Sequence, residues 1–165
     1  PEVSKLIELC NVEMDNAPEQ AGEILRVPVC YEETLAPDLS FVADRTGLSI
    51  PEVIRLHSDT TYEVWMLGFM PGFPYLGKLP AKLTLPRKDR PSPRISAGSV
   101  AVAEEYTGVY PFDSPGGWHI VGRTPWAVTE YRRTPPWLFD YGMQVQFYPI
   151  TIEEYRQSIS ATTAS

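Results

Sequence analysis

Apolar positions recur along this chain with two different periods. Val3, Leu6, Ile7 and Cys10 fall at i, i+3, i+4 and i+7, one face of a helix. The polar stretch at residues 11–20 then reads as a linker. Over residues 23–31, Leu25, Val27 and Val29 alternate with Ile24, Arg26 and Pro28, which predicts a strand. Pro28 lacks an N–H for a ladder and moves that strand toward a sheet edge. Two helices are predicted next. Asp38 caps the first, with Leu39, Val42 and Ala43 inward and Gly47 just past its end. Ser49-Ile50-Pro51-Glu52 is a capping box with proline in the first turn. It opens a second helix to about His57, whose inner face carries Val53, Ile54 and His57.

From Thr61 the period shortens to that of strands. Residues 62–69, 98–103, 118–121, 127–131 and 144–148 each read as one, and Val100 and Val102 share a side. Proline and glycine punctuate every gap. Thr151-Ile152-Glu153-Glu154 is a second capping box, opening a short terminal helix. Residues 158–165 are small and polar and read as a frayed end. The expected class is mainly β: a closed or nearly closed barrel, which hides sheet edges, with a few short helices. The predicted organisation is a remnant of a preceding domain plus linker at 1–22, the barrel at 23–150, and the helix and tail at 151–165.

Composition narrows the function classes. At 165 residues and 43% apolar, the chain has one large domain or two small ones and enough material for a core. The net charge of −7 argues against a nucleic-acid binder. No apolar stretch approaches the roughly 18 residues of a transmembrane helix, and no secretory signal pattern is present. Cys10 and Cys30 make no disulfide framework and no CxxC pair, which fits a reducing, cytoplasmic setting. Proline (17) and glycine (11) are interleaved with aromatics, the mark of ordered loops between short strands. The chain begins without Met, inside a helical pattern, which predicts a piece of a longer protein.

Three segments carry candidate chemistry. Gly72-Phe73-Pro74-Tyr75-Leu76-Gly77-Lys78 has the outline of a P-loop, but Leu79 stands where the magnesium-binding hydroxyl belongs, and Pro74 removes an amide from any phosphate cradle. Its aromatics, with Phe69, read as a rigid apolar loop and a partner surface of Phe69, Phe73 and Tyr75. The run Pro86-Arg87-Lys88-Asp89-Arg90-Pro91-Ser92-Pro93-Arg94 is locally basic on an acidic chain. It reads either as a solvated loop or as a positive lip for a carboxylate or phosphate, groups that Arg matches bidentately. The third segment runs from Thr107 to Pro125. Pro115-Gly116 suits a type II turn with positive φ at Gly116, Gly117 permits a close backbone approach, and successive amides there form an anion nest. Ser114 and Thr124 add hydroxyls, and Arg123 a cation. Asp113, Ser114 and His119 lack a nucleophile elbow, so a serine hydrolase is not expected. His57 reads as a helix-end histidine near free carbonyls. The histidines and cysteines give no metal-ligand spacing.

These segments carry a resemblance. Gly68–Gly77, Pro86-Arg87 through Pro93-Arg94-Ile95-Ser96-Ala97-Gly98-Ser99-Val100, and Tyr110-Pro111 through Ser114-Pro115-Gly116-Gly117-Trp118 to Gly122-Arg123-Thr124-Pro125 resemble one family. Its members are known as the B-type subunit of 5-oxoprolinase, allophanate hydrolase subunit 1 or the sporulation-kinase inhibitor KipI. Val27-Pro28-Val29-Cys30-Tyr31 and Pro37-Asp38-Leu39 follow its pattern too. Ser96 and Ala36 depart from residues common there. The resemblance implies a cyclophilin-like barrel and a partner with a related barrel (the C-type subunit, KipA-like), with a third protein in 5-oxoprolinase. Of the possible roles, it points first to one subunit of an ATP-dependent amide hydrolase opening 5-oxoproline to glutamate, inactive alone. The alternatives are an inhibitor binding a sensor histidine kinase and part of a biotin-dependent urea carboxyltransferase. It implies no cofactor on this chain alone, ATP in the assembled complex, no metal, and neither nucleic acid nor membrane as partner. Carried over by position, the substrate or anion surface is Arg94, Ser99, Tyr110, Ser114, Gly116, Gly117, Trp118, Gly122 and Arg123. No catalytic residue is assigned.

Overall fold

In the computed structural model, which describes residues 23–132 and 134–163, seven strands close into a barrel. The strands in chain order are β1 (Leu25–Cys30), β2 (Thr61–Leu67), β3 (Pro74–Gly77), β4 (Ser92–Ile95), β5 (Ser99–Ala103), β6 (Tyr106–Val109), β7 (Ser114–Gly116), β8 (His119–Arg123) and β9 (Gln144–Ile150). Helices α1 (Leu39–Thr46) and α2 (Ile50–Asp59) sit between β1 and β2, and α3 (Ile152–Thr163) follows β9. Around the barrel the order is β1-β8-β5-β6-β3-β2-β9 and back to β1. Only the closing pair, β1 with β9, is parallel, in register from Leu25↔Val145 to Cys30↔Ile150. The remaining strands, β4 and β7, form a two-stranded ribbon outside the barrel.

Strand β5 shows why the ribbon lies where it does. All five of its residues are buried. On one face Val100 and Val102 join the barrel core with Val27, Val29, Val64, Leu76, Val109 and Phe147. On the other face Ala101 and Ala103 enter a second cluster with Phe73, Ile95, Tyr110, Trp118 and Ile120. Successive side chains point to opposite faces of a strand, so the alternation of Val and Ala feeds two cores at once. Each fully buried large side chain contributes about 1.5–3 kcal/mol. The alanines leave room for the rings, and Ile95 of the ribbon seals that second layer.

Helix α2 delivers one polar group into the barrel core. His57 is 1% exposed and stacks on Phe147 at 4.8 Å. Its Nδ1 lies 2.8 Å from the Tyr31 hydroxyl and its Nε2 2.9 Å from Thr107 Oγ1. The histidine of the last turn is thus a core residue, not one held by free helix-end carbonyls. Its inward face leaves it among aromatic rings.

Several expectations are corrected. Strand β1 is not an edge: it pairs β9 along its whole length and meets β8 at Cys30↔Arg123. That single pair is the whole of its β8 register, so no continuous ladder demands an N–H from Pro28 on that side. Residues 127–131 make only a bridge, Thr129↔Trp137, because Pro135 and Pro136 in the facing segment cannot extend a ladder. The Asp38 side chain does not cap α1. The region 158–163 continues α3 rather than fraying. Strands β3, β4, β6 and β7 are not among the strands that the sequence pattern predicts. Gly47 does end α1 in the left-handed conformation, φ 70°. The N–H and hydroxyl of Ser49 both donate to Glu52, while Thr151 and Glu154 form a reciprocal box. The expected helix and linker within 1–22 lie outside the described residues.

Candidate functional site

The turn between β4 and β5 is the local element on which the site is built. Gly98 takes φ +80°, and a Cβ there would lie 2.7 Å from the Thr124 carbonyl, so only glycine fits. Its N–H donates to Tyr110 O and its carbonyl accepts from Thr124 N–H, tying the turn to the strands on either side. Ala97 then faces two ways. Its N–H donates to Asp113 Oδ1 at 2.9 Å, and its carbonyl accepts from Arg123 Nε at 2.9 Å. Arg94 Nη2 donates to Asp113 Oδ2 at 2.8 Å, on the exposed side. The Ala97 amide and the Arg94 guanidinium together hold the Asp113 carboxyl below its usual range.

A cavity of about 240 Å³ opens beside this turn. Lys88, Arg94 and Arg123 line it as cations, Asp38 as the acid, and Ser92, Ser96 and Ser99 as hydroxyls. Asp38 is what fixes its inner wall. Asp38 Oδ2 accepts the Ile120 N–H at 2.7 Å and lies 2.6 Å from Lys88 Nζ, and its own N–H donates to Ile120 O. Lys88 also donates to Ser92 Oγ at 3.0 Å, clamping the start of the ribbon. Both side chains of the pair are more than four-fifths buried. Ser99 and Arg123 are directly opposed across β5 and β8, so their side chains share a face of the barrel.

A second cavity, about 210 Å³, lies on the other side of the ribbon. Phe73 is its hub. Its ring packs edge-on against Phe69, Tyr75, Tyr110 and Trp118, all at 5.1–5.6 Å between centroids. Edge-to-face pairs of this kind are the favoured aromatic geometry. Arg87, Pro91 and Pro115-Gly116-Gly117 complete the lining. Burial pushes the Tyr110 phenol up to about 12, opposed by the Trp118 amide that donates to it.

The carried-over residues therefore do not form one surface. Arg94, Ser99 and Arg123 line the first cavity. Tyr110, Gly116, Gly117 and Trp118 line the second, with Phe69, Phe73 and Tyr75. Ser114 sits between them on β7 with its Oγ buried and unpaired. Gly122 is a packing residue, since a Cβ there would lie 2.5 Å from Val29 Cγ1. Gly116 is not in a positive-φ turn, because it is part of β7. Glycine is required there for space: a Cβ would collide with the Tyr110 hydroxyl and lie 2.8 Å from Ile95 Cδ1. Phe73 is 1% exposed and cannot itself meet a partner, whereas Phe69 is 64% exposed.

Asp113, Ser114 and His119 do not assemble as a triad. Asp113 is engaged by Arg94 and Ala97, and His119 Nε2 lies 2.9 Å from Pro86 O. Among the described residues no three His, Cys, Asp or Glu side chains gather as a metal site. The Asp38–Lys88 pair escapes sequence reasoning. Lys88 stands out in the basic run, but nothing in the pattern sets its partner fifty residues upstream.

Comparison with known proteins fits this architecture. The family described as carboxyltransferase domain, subdomain C and D, matches residues 2–139. The chain is 46% identical over 132 residues to the B-type subunit of 5-oxoprolinase from Bacillus subtilis (strain 168), covering 80% of this chain and 55% of that protein. It is 43% identical over 137 residues to the same subunit of 5-oxoprolinase from Escherichia coli O157:H7, covering 83% and 63%. The chain thus spans less than two thirds of either relative. A solved structure of a conserved protein from Pyrococcus horikoshii superposes with a TM-score of 0.78 at 39% identity, over 92% of this chain and 68% of that one.

Proposed function

Because the chain belongs to the carboxyltransferase-domain family, subdomain C and D, we propose that it serves as one subunit of an ATP-dependent amide hydrolase. The reaction is the opening of 5-oxoproline to glutamate, in the cytoplasm, with partner subunits supplying the ATP site. The observation that carries this reading is the first cavity. On a chain of net charge −7, it gathers Lys88, Arg94 and Arg123 around three serine hydroxyls. Opening an amide ring builds negative charge on its carbonyl oxygen, and fixed cations and donors stabilise such charge best where water is excluded. In the first cavity Lys88 lies beside Ser92 but is ion-paired with Asp38 and is no free base, so partner groups complete the chemistry. The exposed Phe69 and the aromatic cavity behind it supply the docking face, since aromatics are favoured at interface cores.

The test is co-expression of the full-length protein with its neighbouring subunits and measurement of 5-oxoproline-dependent ATP hydrolysis. Activity that disappears when this subunit is omitted supports the reading. A well-formed complex without that activity overturns it. The family's description as a carboxyltransferase domain, with a relative named putative urea carboxylase, favours a second reading, carboxyl transfer to urea, in which the same cavity stabilises a carboxylate. Urea-dependent carboxyl transfer by the complex would select it.

A further inference from the structure

The three cations of the first cavity are not equivalent. Lys88 Nζ is 2.6 Å from Asp38 Oδ2, and Arg94 Nη2 is 2.8 Å from Asp113 Oδ2, so each already has its counter-charge. Arg123 has no carboxylate within ion-pair distance among the described residues; the Asp113 charge that it feels is already bonded to Arg94. Arg123 Nε is committed to Ala97 O, which fixes the plane of the group. The cavity therefore carries one uncompensated positive charge. A planar guanidinium oriented by one bond matches a carboxylate fork. Ser99, 4% exposed, lies directly across the ladder on the same face and adds a hydroxyl to the cavity. The volume, about 240 Å³, is below that of sites for drug-sized ligands.

We propose that Arg123 selects the ligand of this cavity and that the ligand is a small monocarboxylate, with Ser99 beside it. Lys88 and Arg94, each already paired, shape the walls and add to the field around the ligand without bonding it directly. A phosphate dianion would leave excess negative charge next to Asp38, whereas a single carboxylate balances the site. The choice of 5-oxoproline as first probe rests on the function proposed above. The carboxylate itself follows from the charge balance.

The experiment titrates the full-length protein, alone and with its co-expressed partners, with 5-oxoproline, its neutral carboxamide and inorganic phosphate. Calorimetry or amide chemical shifts report binding. The expected result is binding of 5-oxoproline that weakens roughly ten- to a hundred-fold in the carboxamide and in Arg123→Gln, the loss of one charge-assisted fork. Arg123→Lys recovers part of it, and Arg94→Gln costs less than about three-fold, as for an exposed ion pair. Amide spectra of each variant verify that it is folded. Equal binding of the carboxamide, tighter binding of phosphate, or equal loss in Arg94→Gln and Arg123→Gln would overturn the proposal. If 5-oxoproline does not bind, acetate, lactate and pyruvate are titrated in its place. Arg123-dependent binding of one of these keeps the proposal and overturns the 5-oxoprolinase reading, while no carboxylate binding overturns the proposal.

Discussion

His57 Nε2 lies 2.9 Å from Thr107 Oγ1, and that contact fixes the protonation of the ring. The Thr107 hydroxyl spends its proton on Ala101 O at 3.0 Å, so it can only accept from His57. Nε2 therefore carries the hydrogen, and Nδ1 accepts from the Tyr31 hydroxyl. Burial holds the ring neutral, with its pKa lowered to about 3. The unfolded histidine titrates near 6.5. A depressed folded value gives stability that is whole above pH 6.5 and is lost as pH falls from there toward 3. The maximum slope is about 1.4 kcal/mol per pH unit. Denaturant unfolding between pH 7 and 4.5 should show this loss, and His57→Gln should flatten it. An imidazole that titrates near 6 by NMR would refute the assignment.

Thr107→Val removes the same contact from the acceptor side, together with the hydroxyl's bond to Ala101 O. It keeps the shape and strands the buried Nε2–H, at a cost of about 1–3 kcal/mol. Thermal or urea unfolding at about pH 8, where the ring is neutral in both states, measures it. A loss below about 0.5 kcal/mol would mean that water or a tautomer change replaces the threonine, a result at odds with the buried network.

Gly116 and Tyr110 make a steric pair that can be tested by a double-mutant cycle. Gly116→Ala places a methyl against the Tyr110 hydroxyl and within 2.8 Å of Ile95 Cδ1. Overpacking of this sort costs about 1–3 kcal/mol. Tyr110→Phe removes the hydroxyl but leaves Cζ 3.0 Å from the new methyl, so it should recover only part of the loss. Additivity within error in the cycle would show that the clash is relieved elsewhere.

How far the sequence reveals this molecule depends on the range of the interaction. Helices α1 and α2 can be read because capping residues and an apolar stripe are local signals. The pattern of Val100 and Val102 exposes β5 for the same reason. Strands β4 and β7 cannot be read. Pro93 and Pro115 argue against strands, and the ribbon exists because Ile95 covers a layer of rings contributed by distant segments. The site divides along the same line. Arg94, Arg123 and the glycines stand out by residue type. Their sorting into two cavities, and the pairing of Asp38 with Lys88, depend on contacts between residues far apart in sequence. Asp38 misleads because an aspartate before a helix has a local use, and here the Ile120 amide and the lysine outcompete it.

Phe69 and Phe73 should separate stability from assembly. Phe73 is the fully buried hub of four ring contacts, so Phe73→Ala should cost about 3–5 kcal/mol and lower the unfolding midpoint sharply. Phe69 is mostly exposed and gives up only its edge contacts with Phe73 and Tyr110, so Phe69→Ala should lower the midpoint far less than Phe73→Ala. On the function proposed here, it should instead reduce the amount of partner subunit that co-purifies. Equal co-purification of wild type and Phe69→Ala would remove this face from the interface.

The Asp38–Lys88 pair sets the inner wall of the first cavity, and its energetics decide how that wall responds to substitution. Both side chains are largely buried, at 16% and 19% exposure, with Nζ and Oδ2 at 2.6 Å. Removing one partner of such a pair leaves the other charge desolvated. It also frees the Ile120 amide in Asp38→Ala and the Ser92 hydroxyl in Lys88→Ala. Asp38→Ala should therefore cost about 2–4 kcal/mol, more than Lys88→Ala, whose removal leaves a carboxylate still bonded by an amide. The double variant should be no worse than Asp38→Ala, because the stranded lysine charge is gone with it. Urea unfolding of the four proteins closes the cycle and reports a coupling of about 1–3 kcal/mol. Strict additivity would mean that water reaches both groups, and the wall would then not hold the ribbon against the barrel.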